Sequence, residues 1–264
     1  KWPKTADALH LLGLVAQARG DGSRAEQLIR RAVKLSPGTA DMQFNLGLVL
    51  RERGATDEAE AAFAACIAAA PGHAGAHHAL GVLRFGRGDL DGAEACYRQA
   101  LAASPRDPKL QADLAFLLVE QGLPEEATAL CRRALQAAPQ DEDAASTLGK
   151  ALQETGDMAG AIRAFRDLLV RRPDSVKARM GLHPLLLETE GAAAAIACLD
   201  EILAAAPGHQ SALLHRGILT ALDDPDAAEP FFDRLQRDPD GGNLGLDYWR
   251  YAAAQRDAQT LFMG

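Results

Sequence analysis

The hexapeptide AAAPGH occurs twice, at Ala68–His73 and again at Ala204–His209. The two copies lie 136 residues apart, four times 34. A spacing of this kind points to a structural unit copied along the chain. The prolines carry the same period, because Pro37, Pro71, Pro105, Pro139, Pro173 and Pro207 follow one another at intervals of 34. Units counted from Ala6, Ala40, Ala74, Pro108, Glu142, Val176 and Gln210 bring further columns into line. Column 7 reads Leu12, Leu46, Leu80, Leu114, Leu148 and Leu182, and breaks at Arg216. Column 8 reads Gly13, Gly47, Gly81, Ala115, Gly149, His183 and Gly217. Column 20 is alanine from Ala25 through Ala195.

Each column has a physical meaning. Every unit holds two apolar-periodic stretches of about 13 residues, enough for helices near 20 Å long. The chain is rich in alanine and only 5% aromatic, which favours helix over strand. Gly20, Gly54, Gly88, Gly122 and Gly156 separate the two stretches, as a left-handed residue closing the first helix would. Asp21, Asp89 and Asp157 follow three of them, placed to cap the second helix. The periodic proline then ends that helix. Glycine inside a helix costs about 0.5–1 kcal/mol against alanine, so its recurrence at column 8 predicts close helix packing against the column-20 alanines. His183–Pro184 falls inside a first helix and predicts a kink there.

The run Leu46–Gly47, Ala59, Phe63 and Pro71 resembles the tetratricopeptide repeat, a 34-residue helix–turn–helix, as do Leu80–Gly81, Ala93, Tyr97, Ala100 and Pro105. The resemblance covers residues 6 to about 209, and extends weakly over a degenerate seventh unit. It implies an all-α fold, an α-α superhelix of about seven helix-turn-helix repeats plus a C-terminal capping helix. Residues 1–5 would be a lead-in, 6–243 the array, and 244–264, with Tyr248, Trp249 and Tyr251, a capping or junction helix.

Composition narrows the function classes. A net charge of −8, with no basic stripe, argues against nucleic acid as partner. Pairs such as Arg30–Arg31, Arg132–Arg133 and Arg171–Arg172 sit among acids and read as solvated helix faces. No run of about 18 apolar residues offers membrane insertion. Cys66, Cys96, Cys131 and Cys198 lack metal-ligand spacing and read as buried small hydrophobes, consistent with a reduced, cytoplasmic setting. The chain has no phosphate-binding glycine loop, nucleophile elbow or HExxH, so no catalytic residue, metal or cofactor is expected. The cluster His73, His77 and His78 divides among a turn, a paired-helix face and the groove, which disfavours a metal.

The family resemblance implies that columns 2, 5, 6, 9, 12 and 13 line a concave groove. Those columns supply an apolar belt of Phe44, Leu48, Val82, Phe85, Phe116 and Val119. Asn45, Arg51, His78, Lys150 and Gln153 add polar groups to it, and Glu52, Glu120, Glu154 and Glu188 edge it. Contiguous exposed aromatics of this kind mark binding surfaces. A belt covered by the chain itself is the competing reading. The terminal-carboxylate clamp of some relatives is missing, since His10, Leu14, Gly75 and Ala79 replace its polar residues. An asparagine ladder is absent too, because column 6 holds Asn45 alone. Arg19, Arg53 and Arg87 recur at column 14, where a cation favours the helix C-terminus; an anion-binding row is the alternative.

The expected function is thus a protein–protein interaction scaffold holding an apolar or basic peptide, or an amphipathic helix, in the groove, with self-association through the solenoid ends. The alternative is a substrate-docking or regulatory arm of a larger enzyme. The opening run from Ala8 to Val15 resembles bacterial arrays joined to sulfotransferases, O-linked N-acetylglucosamine-type glycosyltransferases or 2-oxoglutarate oxygenases.

Overall fold

The computed structural model describes residues 5–235, and the end helix expected over 244–264 lies outside them. The described residues form helices and no strand. In chain order the helices are α1 (Ala6–Ala18), α2 (Gly22–Leu35), α3 (Ala40–Glu52), α4 (Thr56–Ala69), α5 (Ala74–Gly86), α6 (Leu90–Ala103), α7 (Pro108–Glu120) and α8 (Pro124–Ala137). There follow α9 (Glu142–Glu154), α10 (Met158–Arg171), α11 (Val176–Thr189), α12 (Ala192–Ala205), α13 (Gln210–Asp223) and α14 (Pro225–Phe232). They belong to two compact units, Lys1–Ala137 and Ala138–Gly264. In the first, α1 to α8 pack in sequence as four antiparallel pairs; in the second, α9 to α14 pack as three. This is an all-α helix-pair repeat.

The turns follow from local chemistry. Gly20, Gly54, Gly88, Gly122 and Gly156 have φ between 74° and 81°, the left-handed value that closes each first helix. In the sixth unit the positive φ falls one residue later, at Gly191, which is the N-cap of α12 with φ 90° and ψ 178°. The Asp21, Asp89 and Asp157 carboxylates accept the N–H groups of Arg24, Gly92 and Gly160 at 2.8–3.0 Å. Each periodic proline follows the end of a second helix. The last residue of AAAPGH has a distinct task. His73 Nδ1 accepts the Ala76 N–H at 2.9 Å, and His209 Nδ1 accepts that of Ala212 at 3.2 Å. Each histidine is an N-cap of the following first helix, where Asp107, Asp141 and Ser175 serve in other units. A second tie crosses the same turn, since Gln43, His77 and Gln111 donate to the carbonyls of Pro37, Pro71 and Pro105 at 2.8–3.1 Å.

Packing corrects the expectation for column 8. A Cβ on Gly47 would lie 2.5–2.9 Å from three atoms of the Phe63 ring, and one on Gly81 would lie 2.6 Å from Tyr97. Gly149 and Gly217 meet Phe165 and Phe232 in the same way. These glycines make room for a ring, at column 24 for Phe63, Tyr97 and Phe165 and at column 23 for Phe232, and not chiefly for the alanine at column 20. Where column 8 is larger, column 24 is smaller, with Cys131 paired to Ala115 and Leu199 to His183. Phe165 lies against two glycines, Gly149 of its own pair and Gly181 of the next.

Pro184 leaves α11 continuous over Val176–Thr189. Proline lacks the N–H that would bond to Met180 four residues earlier. His183 Nδ1 donates to that Met180 carbonyl at 2.9 Å instead. His183 is 6% exposed and its ring stacks near His215, with centroids 4.8 Å apart. Burial pushes the His183 imidazole below its ordinary pKa, and the neighbouring His215 adds to the shift. Burial lowers His215 as well, and its Nδ1 is enclosed without a hydrogen-bond partner among the described residues.

Candidate functional site

The first unit carries most of the candidate surface. First helices pack beside one another, α1 on α3 and α3 on α5, and polar side chains bridge them at a fixed step of 35 residues. Asn45 hydrogen-bonds to His10 at 2.9 Å, and Gln17 donates to both Glu52 oxygens at 3.0 Å. His78 Nε2 lies 2.6 Å from Asp113 Oδ2. A carboxylate only accepts, so this nitrogen carries the hydrogen. Burial pushes the Asp113 carboxyl up, but the His78 hydrogen bond and the Lys109 charge outweigh it and hold its pKa below the ordinary value. Tyr97, its own pKa pushed up to about 12 by burial, places its ring 5.6 Å from that of His78. Asn45 and His78 therefore already have partners within the chain.

The belt divides into covered and open parts. Phe44 is half-buried, with centroids 4.6 Å from His73 and 5.9 Å from Phe63, and it packs with Leu48 against the core of the unit. Val119, at 4% exposed, is enclosed and offers nothing to a partner. Its helix also buries Leu114, Leu117 and Leu118, and a helix enclosed around so much of its circumference covers its short side chains. The competing reading of the belt thus holds at that end. Phe85 and Phe116 remain, edge to face with centroids 5.8 Å apart, and Phe116 is 44% exposed. Val82 is half-buried and Arg51 is exposed. Lys150 and Gln153 belong to the second unit, both exposed on α9.

Arg53 and Arg87, two of the three column-14 arginines, are tied into ion pairs and form no anion row. Arg53 pairs with Glu26, and Arg87 with Glu60 and Asp57, each reaching back to the second helix of the preceding pair. Gln121 repeats the step to Glu94 at 3.0 Å. These bonds join one repeat to the next, and sequence columns taken helix by helix do not reveal them.

His73, His77 and His78 point to three different partners, a helix N-terminus, the Pro71 carbonyl and Asp113. Among the described residues no three histidine, cysteine or acidic side chains gather as a metal set, and no helix is long and apolar enough to cross a membrane. All four cysteines are buried and free. Burial pushes the thiols of Cys66, Cys96 and Cys198 up, the last to about 11. Since the thiolate is the reactive form, a thiol reagent should find no rapidly reacting cysteine in the native protein and four after guanidinium unfolding. One fast thiol in the native state would contradict the packing.

Two tetratricopeptide repeat family models match the chain, one over residues 84–151 and the other over 10–74, 146–182 and 184–242. No match was found among curated protein sequences. Solved structures are similar in fold. A tetratricopeptide repeat protein of Parabacteroides merdae is 16% identical with a TM-score of 0.70, covering 88% of this chain and 92% of its own. PilF of Pseudomonas aeruginosa is 24% identical with a TM-score of 0.65, covering 81% and 97%. YrrB, described as a TPR protein with an unusual peptide-binding site, is 20% identical with a TM-score of 0.61, covering 71% and 97%.

Proposed function

The chain belongs to the tetratricopeptide repeat family, whose members serve as interaction scaffolds, and from that membership we propose that its first unit holds an amphipathic helix or peptide with apolar anchors and basic flanks. The observation that carries this reading is the edge-to-face pair of half-buried Phe85 and exposed Phe116 on the groove columns. Two aromatic rings side by side give a partner's Leu, Met or Phe an apolar seat. Val82 extends that seat, and Glu52 and Glu120 lie on the same columns. A net charge of −8 favours a basic partner and speeds its approach at low salt. The polar bridges between first helices fix the seat before binding, which lowers the ordering cost. No group here performs chemistry on the partner in this reading, and binding itself is the function.

Phe44 is unsuitable for a test because its ring also supports the core. Phe85→Ala with Phe116→Ala is the informative pair. Each buried aromatic anchor is worth about 2 kcal/mol at an interface. Calorimetric titration of an isolated partner segment should therefore show binding weakened at least ~30-fold, with the far-UV circular dichroism unchanged. Undiminished affinity in the double variant would exclude this seat.

A further inference from the structure

In the groove, a column-12 side chain meets column 13 of the next repeat, 35 residues on, as Gln17 meets Glu52. Column 13 is acidic in four units, at Glu52, Glu120, Glu154 and Glu188. Arg51 is the one cation at column 12, and the residue 35 positions on from it is Gly86. The acid is thus missing at the place where an arginine would meet it. α3 and α5 lie side by side there, as α1 and α3 do. A Cβ on Gly86 would meet nothing within 4 Å, so the space in front of it is open. Arg51 is exposed and has no opposite-charge partner among the described residues. Arg53, Arg84 and Arg87, by contrast, are all paired. Glu52, its neighbour in sequence, is held by Gln17.

We propose that Arg51 receives an acidic side chain of the bound segment, an Asp or Glu of the partner taking the place of the glutamate that column 13 lacks at Gly86. This rests on the reading that the first unit seats a segment at Phe85 and Phe116, and it adds one acid to a segment whose other flanks are basic. A guanidinium offers a planar fork of donors that matches a carboxylate. Phe85 directly precedes Gly86, so the acid lies next to the aromatic seat, on its α3 side. Packed helices stand about 8–10 Å apart. Acid and apolar anchor are therefore separated by about three residues in an extended segment, or about two turns in a helical one. The same cation sets the direction of the segment, because a reversed one carries its acid toward Glu120 on α7.

Selection from a library of random peptides displayed on phage reads this directly. The peptides are joined to the coat protein at their C-termini, so only side chains supply carboxylates. Wild type should enrich sequences that pair an apolar residue with Asp or Glu at one fixed separation. Gly86→Glu, at an exposed position, supplies the missing acid from the chain itself. It should lose the preference for acid and keep the apolar one, and Arg51→Glu should exchange the acid for Lys or Arg. For a synthetic peptide taken from the wild-type selection, changing its acid to the amide should weaken binding at least ~3-fold in wild type and leave Gly86→Glu unaffected. Apolar sequences without an acid preference in wild type would overturn the role of Arg51 and leave the seat standing. An acid preference that survives in Gly86→Glu would overturn it as well. A selection that enriches nothing, or one indifferent to Phe85→Ala with Phe116→Ala, would remove the seat itself and this inference with it.

Discussion

Replacing Phe63 by alanine should cost about 3–5 kcal/mol of unfolding free energy, the range for emptying a fully buried aromatic site. The ring is 0% exposed and fills the space that Gly47 leaves open. The converse change is also destabilising. Gly47→Ala drives a methyl group into the ring, and with both helices held by neighbouring pairs the cost should be about 1–3 kcal/mol. The two sites are one contact seen from opposite sides, so their effects should not add. Combining Gly47→Ala with Phe63→Leu should recover part of the loss of either change; columns 8 and 24 hold Ala115 with Cys131 and His183 with Leu199 in other units. Urea unfolding of the four proteins measures the coupling. Strict additivity would mean that column 8 and column 24 do not share space.

Acidification should loosen the second unit at α11 to α13. The imidazoles of His183 and His215 are both lowered in the folded chain, mainly by burial. In the unfolded chain each regains the ordinary value near 6.5. As pH falls through that value the unfolded state takes up protons that the folded state refuses, so stability is full above it and declines below it. The decline ends once the pH has passed the lowered folded values, with a slope of at most about 1.4 kcal/mol per pH unit for each proton. Hydrogen exchange of α11 to α13, corrected for intrinsic rate, should quicken between about pH 7 and 5.5. His215→Leu should flatten the dependence. His183→Leu should lower stability at every pH, by about 1–3 kcal/mol, since it strips the Met180 carbonyl of its donor. A pH response identical in wild type and His215→Leu would remove the histidine pair as its cause.

The candidate surface was legible in part. Phe116 stands open beside half-buried Phe85 on the columns that the family resemblance assigns to a groove, and Val119, at a column equally entitled to it, is enclosed. Column position states which way a side chain leaves its own helix. It does not state what stands in front of it, which depends on side chains from helices tens of residues away. Asn45 and His78 carry the same lesson, since their partners His10 and Asp113 are 35 residues distant and were visible only as residues in neighbouring columns.

The repeat period, the helix pairs, the glycine turns and the aspartate caps were all determined by the sequence alone. Each rests on a backbone property expressed within a few residues: proline's missing N–H, glycine's access to positive φ, a carboxylate reaching an amide three residues on. Tertiary structure decided the rest. That the histidine of AAAPGH caps a helix depends on the turn geometry that brings Nδ1 to the amide, and the sequence alone made it a turn residue. That column 8 answers to the ring of column 24, that Arg53 and Arg87 bind the preceding repeat, and that His183 replaces the donor Pro184 lacks all depend on which atoms meet. Periodicity sets the direction of a side chain, whereas close packing leaves each site room for one particular neighbour.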